Sequence, residues 1–432
     1  FFTLYSIIQL KRGKGKMSIK DKANYCLSCK NKSCVKGCPL SNDITDAIKF
    51  VKDNDFESAY YKFSETSVLS SICGRVCPHQ KQCQGSCIRG IKSESVSIGD
   101  IEAFVGDYAL ENNLKLNSYS NYNKLDKKVA VIGSGPCGIT CAATLKRLGV
   151  EHVDLYEKKS YLGGLLIHGI PDFRLPKDIV KNTYDKILEL GINVEYNMEL
   201  GKNLSLDTLR KKYDAIFVAI GSNISSKMGI EGENLNGVYG GNELLEYKSY
   251  PNFNGKNVAV IGGGNVAMDT SRTVKRLGAH HVYVIYRRAE EQMPAEKKEI
   301  KEAKEEGIEF MFLNNIVKIL GKEKVEKIEC IKTELVYEEG KRPYPVNIEN
   351  SNYTLDIDYV IMAIGSQLEE EAVRNLEKNE WNKLKIDKNY RTNIKGVYAG
   401  GDVAGVKSTV AWASFSGREA AKIIYEDLSE VK

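Results

Sequence analysis

Clustered cysteines are the residues of this chain whose type and spacing most directly indicate chemistry. Eight of the eleven cysteines fall between Cys26 and Cys87 of the 432 residues. The first run has the spacing C-x2-C-x4-C-x3-C-P, and the second has C-x3-C-P followed later by C-x3-C. In order, these cysteines are Cys26, Cys29, Cys34, Cys38, Cys73, Cys77, Cys83 and Cys87. In a chain too long for a small disulfide-stapled domain, such clusters are typical of metal ligands.

The spacing also bears on which metal centre is bound. Zinc ribbons pair two C-x2-C knuckles, and this chain has only one. The C-x3-C-P ending occurs in ferredoxin runs, where the last cysteine binds the other of two iron–sulfur clusters. The x4 spacing departs from the x2 of bacterial ferredoxins, so a simple ferredoxin insert is not expected. Eight thiolates could hold two 4Fe–4S clusters, although Cys73 lies close to Cys77 and could be spare.

A first dinucleotide motif follows the cysteines. The apolar strand 129–133 runs into Gly133-Ser-Gly135-Pro-Cys-Gly138, then a helical pattern and a second strand that ends at Glu157. Gly133 permits the tight turn, Gly135 admits a pyrophosphate to the backbone, and Gly138 lets the helix pack on the strand. Glu157 is placed to accept hydrogen bonds from ribose hydroxyls. In this strand–turn–helix–strand context the motif strongly indicates a dinucleotide site, here assigned to FAD.

A second motif of the same kind indicates a different nucleotide. Its glycine turn and first helical residues, predicted to contact the nucleotide, are Gly262, Gly264, Asn265, Val266 and Ala267. Tyr286 stands where Glu157 stands in the first unit, and Arg287 and Arg288 follow it. An acid there would repel a ribose 2′-phosphate, whereas two arginines attract it. Two arginines at a strand end are often only solvated surface, but the missing acid favours NADP(H). Arg272 on the following helix is added to this set.

The order of the strands predicts nested domains. Matching strands recur at 213–222 and 358–366, and the second nucleotide unit lies between them. The simplest topology inserts one nucleotide domain within the other, with the chain returning to the first domain near Asp358. Two dinucleotide sites in one chain imply two nucleotides that exchange a hydride.

The C-terminal segment GVYAGGDVAG (396–405) fits a flavin site. Gly401 and Asp402 would place a carboxylate near the ribityl chain and pyrophosphate. A helix that begins at Thr409 and Val410 could turn its first amides toward the flavin ring. Taken alone, the segment is better interpreted as a glycine turn with an N-cap aspartate.

Composition excludes several classes of protein. The chain is 42% hydrophobic and 28% charged, as ordinary globular proteins are. No apolar run approaches the ~18–20 residues of a membrane-spanning helix. Four charges of the net +5 lie in residues 1–16, so no basic field for nucleic acid remains. Because the lysines of that segment follow its apolar stretch, export is not expected, and we predict a cytoplasmic enzyme.

Five segments carry a resemblance to a known family. They are CGRVCP (73–78), SIGDIE (97–102), GGLLIHGIPDFRLPK (163–177), GGGNVAMD (262–269) and YRRAEEQMPA (286–295). With them the chain resembles the small (beta) subunit of NADPH-dependent glutamate synthase over about residues 20–430. It is also similar to the N-terminal half of dihydropyrimidine dehydrogenase and to the large subunit of NADH-dependent ferredoxin:NADP oxidoreductase.

The resemblance implies specific ligands. One cluster would be held by Cys26, Cys29, Cys34 and Cys87, and the other by Cys38, Cys77, Cys83 and Glu102. Cys73 would then be a small buried residue, and without the resemblance Glu102 reads as a surface acid. Gly164 would contact FAD, and His168 and Ile170 would pass near the flavin. His168 departs from the aromatic residue expected there, which leaves its role open. Cys137 and Cys141 are interpreted as packing residues.

The implied fold is α/β, with two nested Rossmann-like dinucleotide-binding domains arranged as in glutathione reductase and preceded by an α-helical iron–sulfur domain. The predicted segments are an extension (non-native or disordered) at 1–16, the cluster domain at 17–122, the FAD domain at 123–238 and 356–432, and the NADP(H) domain at 239–355.

The implied function is electron transfer from NADPH through FAD and the clusters to a redox partner. That partner would be a glutamate synthase large subunit, ferredoxin or another dehydrogenase subunit. No catalytic acid or base is assigned. The alternatives are the large subunit of a ferredoxin:NADP oxidoreductase, bifurcating or not, and a non-enzymatic cluster-binding adaptor. The intact fingerprints at both nucleotide sites argue against the adaptor.

Overall fold

Helices alone form the first part of the chain in the computed structural model, which describes residues 17–430. The extension predicted at 1–16 lies outside these residues. The helices are α1 Ile19–Asn24, α2 Ser33–Gly37, α3 Ile44–Lys52, α4 Phe56–Ser64, α5 Ser70–Val76 and α6 Ile98–Glu111. In α3 and α4 the apolar residues recur at three- and four-residue steps, which is the helical period. The Asp55 side chain caps α4 by accepting the Ser58 N–H at 3.0 Å.

Strands and helices alternate in the remainder of the described chain. The strands are β1 Leu125–Ile132, β2 Val150–Glu157, β3 Asn193–Tyr196, β4 Ala215–Val218, β5 Ile224–Ser225, β6 Val238–Gly240, β7 Asn257–Ile261, β8 His281–Tyr286, β9 Glu309–Phe312, β10 Asn314–Leu320, β11 Lys327–Val336, β12 Tyr344–Asn347, β13 Tyr353–Asp356, β14 Tyr359–Met362, β15 Ser366–Gln367 and β16 Val397–Ala399. The helices are α7 Pro136–Leu148, α8 Leu165–His168, α9 Lys177–Leu188, α10 Leu206–Lys212, α11 Gly241–Tyr247, α12 Asn265–Arg276, α13 Lys297–Glu305 and α14 Val410–Glu430.

The first nucleotide domain is built on a parallel five-stranded sheet with the order β16-β4-β1-β2-β3. The last four residues of β1 are fully buried, since helices cover both faces of such a sheet. Helix α7 starts with Pro136 and ends at Gly149, whose φ of +102° stops the helix in a left-handed cap. This geometry brings the α7 N-terminus to the carboxyl end of β1, where a dinucleotide binds in such folds.

The second nucleotide domain has its own parallel sheet, with the order β6-β14-β7-β8-β9. Strand β14 pairs with β6 and β7, so the return to the first domain predicted near Asp358 is wrong. The chain rejoins the first sheet only at β16. The physical reason is that each glycine turn packs against the end of a strand in its own sheet, and β14 supplies that strand for the second turn. The short antiparallel pair β5–β15 joins the two domains.

An antiparallel sheet that the sequence analysis did not predict extends the second domain. Strand β11 pairs with β10, β12 and β13. The Thr333 hydroxyl on β11 donates to the carbonyl of Arg287 at 3.0 Å. The β11–β12 hairpin is thereby attached to the end of β8, at the corner where the second nucleotide was predicted.

Buried arginines attach the helical domain to the first nucleotide domain. Arg418 on α14 donates to the carbonyls of Leu40 and Thr66 at 2.8 and 3.0 Å. Arg147 on α7 donates to the Ser64 carbonyl at 2.7 Å. One continuous hydrophobic core runs through both domains. Within residues 17–430, no helix has the length and apolar character needed to cross a membrane.

Candidate functional site

Four cysteines of the helical domain line one pocket near its surface. Its lining includes Cys26, Cys29, Cys34 and Cys87. Burial raises the pKa of Cys34, and the nearby Cys26 and Cys87 add charge repulsion. Four convergent thiols around one cavity are a donor set that fits a 4Fe–4S cluster. These are the four residues predicted for the first cluster.

A second set of acidic groups is buried beside the first. Glu102 on α6 is 5% exposed, and burial raises its pKa to about 8. Burial also raises the pKa of Cys38 to about 12 and that of Cys83 still further, with the Glu102 charge as the next cause for both. The pKa of Cys77 is raised, first by a hydrogen bond with Cys73 and then by burial.

The acidic side chains of this second set have few hydrogen-bonding or positively charged groups around them. Glu102 accepts one hydrogen bond, from the Asn42 amide at 3.2 Å. Buried anions in such proximity repel one another unless a cation is bound between them. Cys38, Cys77, Cys83 and Glu102 therefore fit the ligands of an iron–sulfur centre. Cys73, predicted as a buried packing residue, is 1% exposed.

The first glycine turn forms one wall of a large pocket. Gly133 has φ +99°, and a Cβ there would lie 2.5 Å from the Ala219 carbonyl oxygen. A Cβ at Gly135 would meet nothing within 4 Å, which leaves the backbone open to a phosphate. At Gly138 a Cβ would lie 1.8 Å from the Gly133 carbonyl oxygen, so only glycine lets α7 pack this closely.

Glu157 is oriented at the end of β2 by hydrogen bonds from the chain itself. Its carboxylate accepts the N–H of Ser134 at 3.0 Å and that of Lys159 at 2.9 Å, together with the Ser134 hydroxyl. The Ser134 hydroxyl also accepts the Gly163 N–H at 3.0 Å. Ser134, which the sequence analysis did not single out, thus joins Glu157 to the GGLL segment (163–166).

The large pocket encloses a cavity volume of about 270 Å³. Its lining includes these residues predicted for FAD: Gly133, Gly135, Glu157, Gly164, Asp402, Thr409 and Val410. Gly138 and Gly401 lie behind the lining, where a Cβ on Gly401 would come 2.9 Å from the Cβ of Cys137. Burial raises the pKa of Asp402. A pocket lined from the glycine turn at the start of α7 to Thr409 and Val410 at the start of α14 fits an extended dinucleotide.

Both nucleotide domains and the helical domain contribute to this pocket. Asn265 and Val266 at the start of α12 line it, so the second glycine turn opens toward the same space. Val76 and Pro78 also line it, and they flank Cys77 of the second thiol set. The pocket therefore lies where a hydride could cross between nucleotides and where electrons could leave toward the cysteines.

The second glycine turn repeats the geometry of the first. Gly262 has φ +137°, and a Cβ there would lie 2.2 Å from the Ala363 carbonyl oxygen, whereas Gly264 faces open space. Ala267 is fully buried. At the end of β8, the Tyr286 ring packs against Gly263, and its hydroxyl donates to the Gln292 carbonyl at 2.8 Å.

Three arginines lie around the end of β8. Arg287 is exposed. Arg288 donates through Nε to the Pro343 carbonyl at 3.2 Å. Arg342, on the β11–β12 hairpin, donates through Nη2 to the Gln292 carbonyl at 2.6 Å. The sequence analysis missed Arg342, because a residue on a hairpin more than fifty positions along the chain leaves no local signal for its place at this corner.

Arg272 does not fit the nucleotide site as predicted. Its Nη1 donates to Glu299 at 2.6 Å, and its Nη2 lies 2.8 Å from both Glu302 and Glu306. Its guanidinium carbon lies 4.6 Å from the ring centre of Phe173. Three carboxylates already neutralise this arginine, whose side chain is 5% exposed, so the structure contradicts its assignment to NADP(H).

A buried ion pair connects the two nucleotide domains next to Arg272. Arg174 Nη1 donates to both carboxylate oxygens of Asp269, at 2.8 and 2.7 Å. The two side chains are 10% and 5% exposed. Arg174 belongs to the GIPDFRLP segment of the first domain and Asp269 to α12 of the second. Since both residues line the large pocket, this pair joins the two domains at the wall of that pocket.

Lys177 fixes the turn that carries His168. Its Nζ donates to the carbonyls of Leu166 and Leu175 at 3.0 and 3.1 Å, and also to that of Ile170. Burial lowers the pKa of Lys177 to about 8. His168 and Ile170 both line the large pocket.

Comparisons with known proteins agree with this architecture. The family model for pyridine nucleotide-disulphide oxidoreductases matches residues 127–419. A model described as dihydropyrimidine dehydrogenase domain II, 4Fe-4S cluster, matches residues 6–114.

Among relatives, the glutamate synthase [NADPH] small chain of Escherichia coli is 34% identical, covering 93% of this chain and 90% of its own. The E. coli oxidoreductase AegA is 37% identical over 94% of this chain, which spans 65% of AegA. Mycobacterium tuberculosis FprA in complex with NADPH has a TM-score of 0.63 at 19% identity, covering 71% of this chain and 85% of FprA. The chain therefore belongs to the pyridine nucleotide-disulphide oxidoreductases, as an NAD(P)H- and FAD-dependent member of the glutamate synthase small-chain group with a 4Fe-4S domain.

Proposed function

We propose that the chain passes electrons from NADPH through FAD and two 4Fe–4S clusters to a partner protein. When bound, FAD would accept a hydride as two electrons and release them singly to clusters that carry one electron each. The observation that carries the proposal is the position of Cys77 between Val76 and Pro78. Both neighbours line the FAD pocket, while Cys77 itself belongs to the second ligand set.

The proposed route continues from the second ligand set to the surface. Cys34 lies close enough to Cys83 for its charge to contribute to raising the pKa of that buried thiol, so the two sets adjoin. Around the first set, Leu27 and Ile88 line the same pocket as the cysteines and are 55% and 40% exposed. Electrons would therefore enter at the nucleotide domains and leave where the first cluster approaches the surface of the helical domain.

The cluster ligands in this proposal are those the family resemblance implied. Cys26, Cys29, Cys34 and Cys87 would hold the outer cluster. Cys38, Cys77, Cys83 and Glu102 would hold the inner one, with the carboxylate neutralised by iron. Cys73 would bind no iron and would support Cys77 by packing against it.

NADPH is the proposed donor because the end of β8 offers arginines in place of an acid. Arg287, Arg288 and Arg342 would surround the ribose 2′-phosphate, and the turn at Gly262 and Gly264 would receive the pyrophosphate. FAD would bind at the first turn, with Glu157 accepting from its ribose.

The proposed acceptor is another protein, and the relatives' designation as small chains supports a larger partner. A glutamate synthase large subunit, ferredoxin and another dehydrogenase subunit are the candidates. The helical domain and the two nucleotide domains account for residues 17–430. Among the residues that the structure describes, no further unit is present that could be an amidotransferase or a second flavin domain. The proposal therefore assigns glutamate chemistry, if any, to the partner.

Anaerobic reduction by NADPH tests the route. In the wild-type protein, flavin bleaching should be followed by the electron paramagnetic resonance signals of reduced clusters. In Cys77→Ser the flavin should still bleach, but reduction of the inner cluster should be lost. Cys73→Ser, a matched change one helical turn away, should behave like the wild type. Zinc in place of iron after anaerobic purification would contradict the proposal.

A further inference from the structure

His168 is a buried side chain without hydrogen-bond partners in the described part of the chain. It ends helix α8, is 4% exposed, and makes no hydrogen bond through either Nδ1 or Nε2. Its ring meets that of Tyr161 edge-on, with centroids 6.2 Å apart. A buried polar ring with two unsatisfied nitrogens is unfavourable unless another group completes its hydrogen bonds.

The charged groups around His168 are engaged elsewhere. Glu246 on α11 faces the ring but forms a 2.6 Å ion pair with Lys159. Lys177 donates to backbone carbonyls, as described above. Lys158 is the remaining charge that acts on the ring. Burial is the main effect and lowers the pKa of His168 to about 4, so the imidazole is neutral at pH 7.

A neutral imidazole offers one N–H donor and one acceptor nitrogen. His168 lines the large pocket together with Asn242 and Asn265 of the second domain. It therefore lies at the junction of the two nucleotide domains. The two nitrogens of an imidazole point to different sides of the ring, so one edge of a ligand pairs with only one of them. An amide edge presents both a donor and an acceptor and can therefore pair with whichever nitrogen faces it. The pyrimidine edge of a flavin and the carboxamide of a nicotinamide both have this chemistry.

We propose that His168 is a binding residue that pairs with the amide edge of a nucleotide ring in this pocket. The proposal rests on the proposed function, which places both nucleotides there. It also accounts for a polar residue at a position where an aromatic one was expected. A phenylalanine would fill the same space but would leave the amide edge of the ring unpaired.

Binding measurements on two variants test the proposal. His168→Phe keeps an aromatic ring without hydrogen-bonding groups, and His168→Gln keeps one donor and one acceptor. FAD is titrated into the flavin-free protein, and NADP⁺ is titrated into the FAD-loaded protein. We expect His168→Phe to weaken one of these affinities about tenfold, as the loss of a buried hydrogen bond does, and His168→Gln to recover most of it. The affinity that changes identifies the ring.

A nuclear magnetic resonance measurement on the wild-type protein tests the same contact without requiring that the variants bind ligand. The chain has five histidines, so a ¹⁵N-histidine spectrum is simple, and the signal missing from His168→Phe assigns His168. Its two nitrogens should shift in the wild-type protein when the ring it pairs with is added. Unchanged affinities in both titrations together with unshifted nitrogens would refute the role of His168 alone. A wild-type protein that binds neither FAD nor NADP⁺ would instead refute the proposed function.

Discussion

Replacing the arginines at the end of β8 should remove the preference for NADPH over NADH. Arg287 is exposed, and Arg288 uses its Nε on the Pro343 carbonyl, so its terminal nitrogens remain available to a phosphate. A charge-assisted hydrogen bond contributes roughly 1.5–3 kcal/mol. Because salt screens exposed charges, we take the lower end, which is about tenfold in affinity per arginine. The double variant Arg287→Ala/Arg288→Ala should therefore lose up to about a hundredfold of NADPH preference and little NADH activity.

Stopped-flow measurement of flavin bleaching under anaerobic conditions gives the comparison directly. The second-order rate constant is measured with NADPH and with NADH for the wild type, the double variant and Arg374→Ala. Arg374 is an exposed arginine paired with Glu371 at 2.9 Å, outside the nucleotide corner, and should leave the ratio unchanged. The wild-type ratio should also fall as salt is added. Equal bleaching of the wild type by both nucleotides would show that our interpretation of this corner is wrong.

Four further outcomes are expected. Arg342→Ala should reduce the preference for NADPH over NADH about tenfold. If Arg342 serves only to contact the Gln292 carbonyl, the ratio of the two rate constants should stay unchanged. The protein should hold about eight iron atoms and one FAD; Cys29→Ser should lose about half the iron, and Cys73→Ser none. Arg174→Met should lower the free energy of unfolding measured in urea by about 3–5 kcal/mol, because it leaves the buried Asp269 charge unpaired. Adding Asp269→Asn to this variant removes that charge and should recover part of the loss. The chain alone should oxidise NADPH with ferricyanide yet form no glutamate from glutamine and 2-oxoglutarate, and its recovery in native extract with a larger redox protein would identify the acceptor.

The two glycine turns could be predicted from sequence because their geometry is local. A turn between a strand and a helix needs a backbone with positive φ at its first residue, and both Gly133 and Gly262 have it. The open space at Gly135 and Gly264 follows from the same local rule. The helices α3 and α4 were likewise visible as apolar spacing, which depends only on the helical period.

Topology was predicted only in part, because two strands of nearly the same sequence end in different sheets. The nesting of the domains was confirmed, but β14 pairs within the second sheet and not the first. Its sequence, like that of β4, fits beside any glycine turn of this kind. Its place is set by pairing with β6 and β7, which lie more than ninety residues earlier in the chain.

By itself, then, the amino-acid sequence determined the thiol spacing, both nucleotide turns and the loss of an acid after β8. Those features depend on neighbours along the chain. Only the tertiary structure decided what Glu102, Arg272 and Arg342 contact. Glu102 comes to the cysteines because Gly74 and Gly106 let α5 and α6 approach so closely that a Cβ on either would lie within 2.4 Å of the facing backbone. The partners of such long side chains are set by packing between distant segments, which no local pattern encodes.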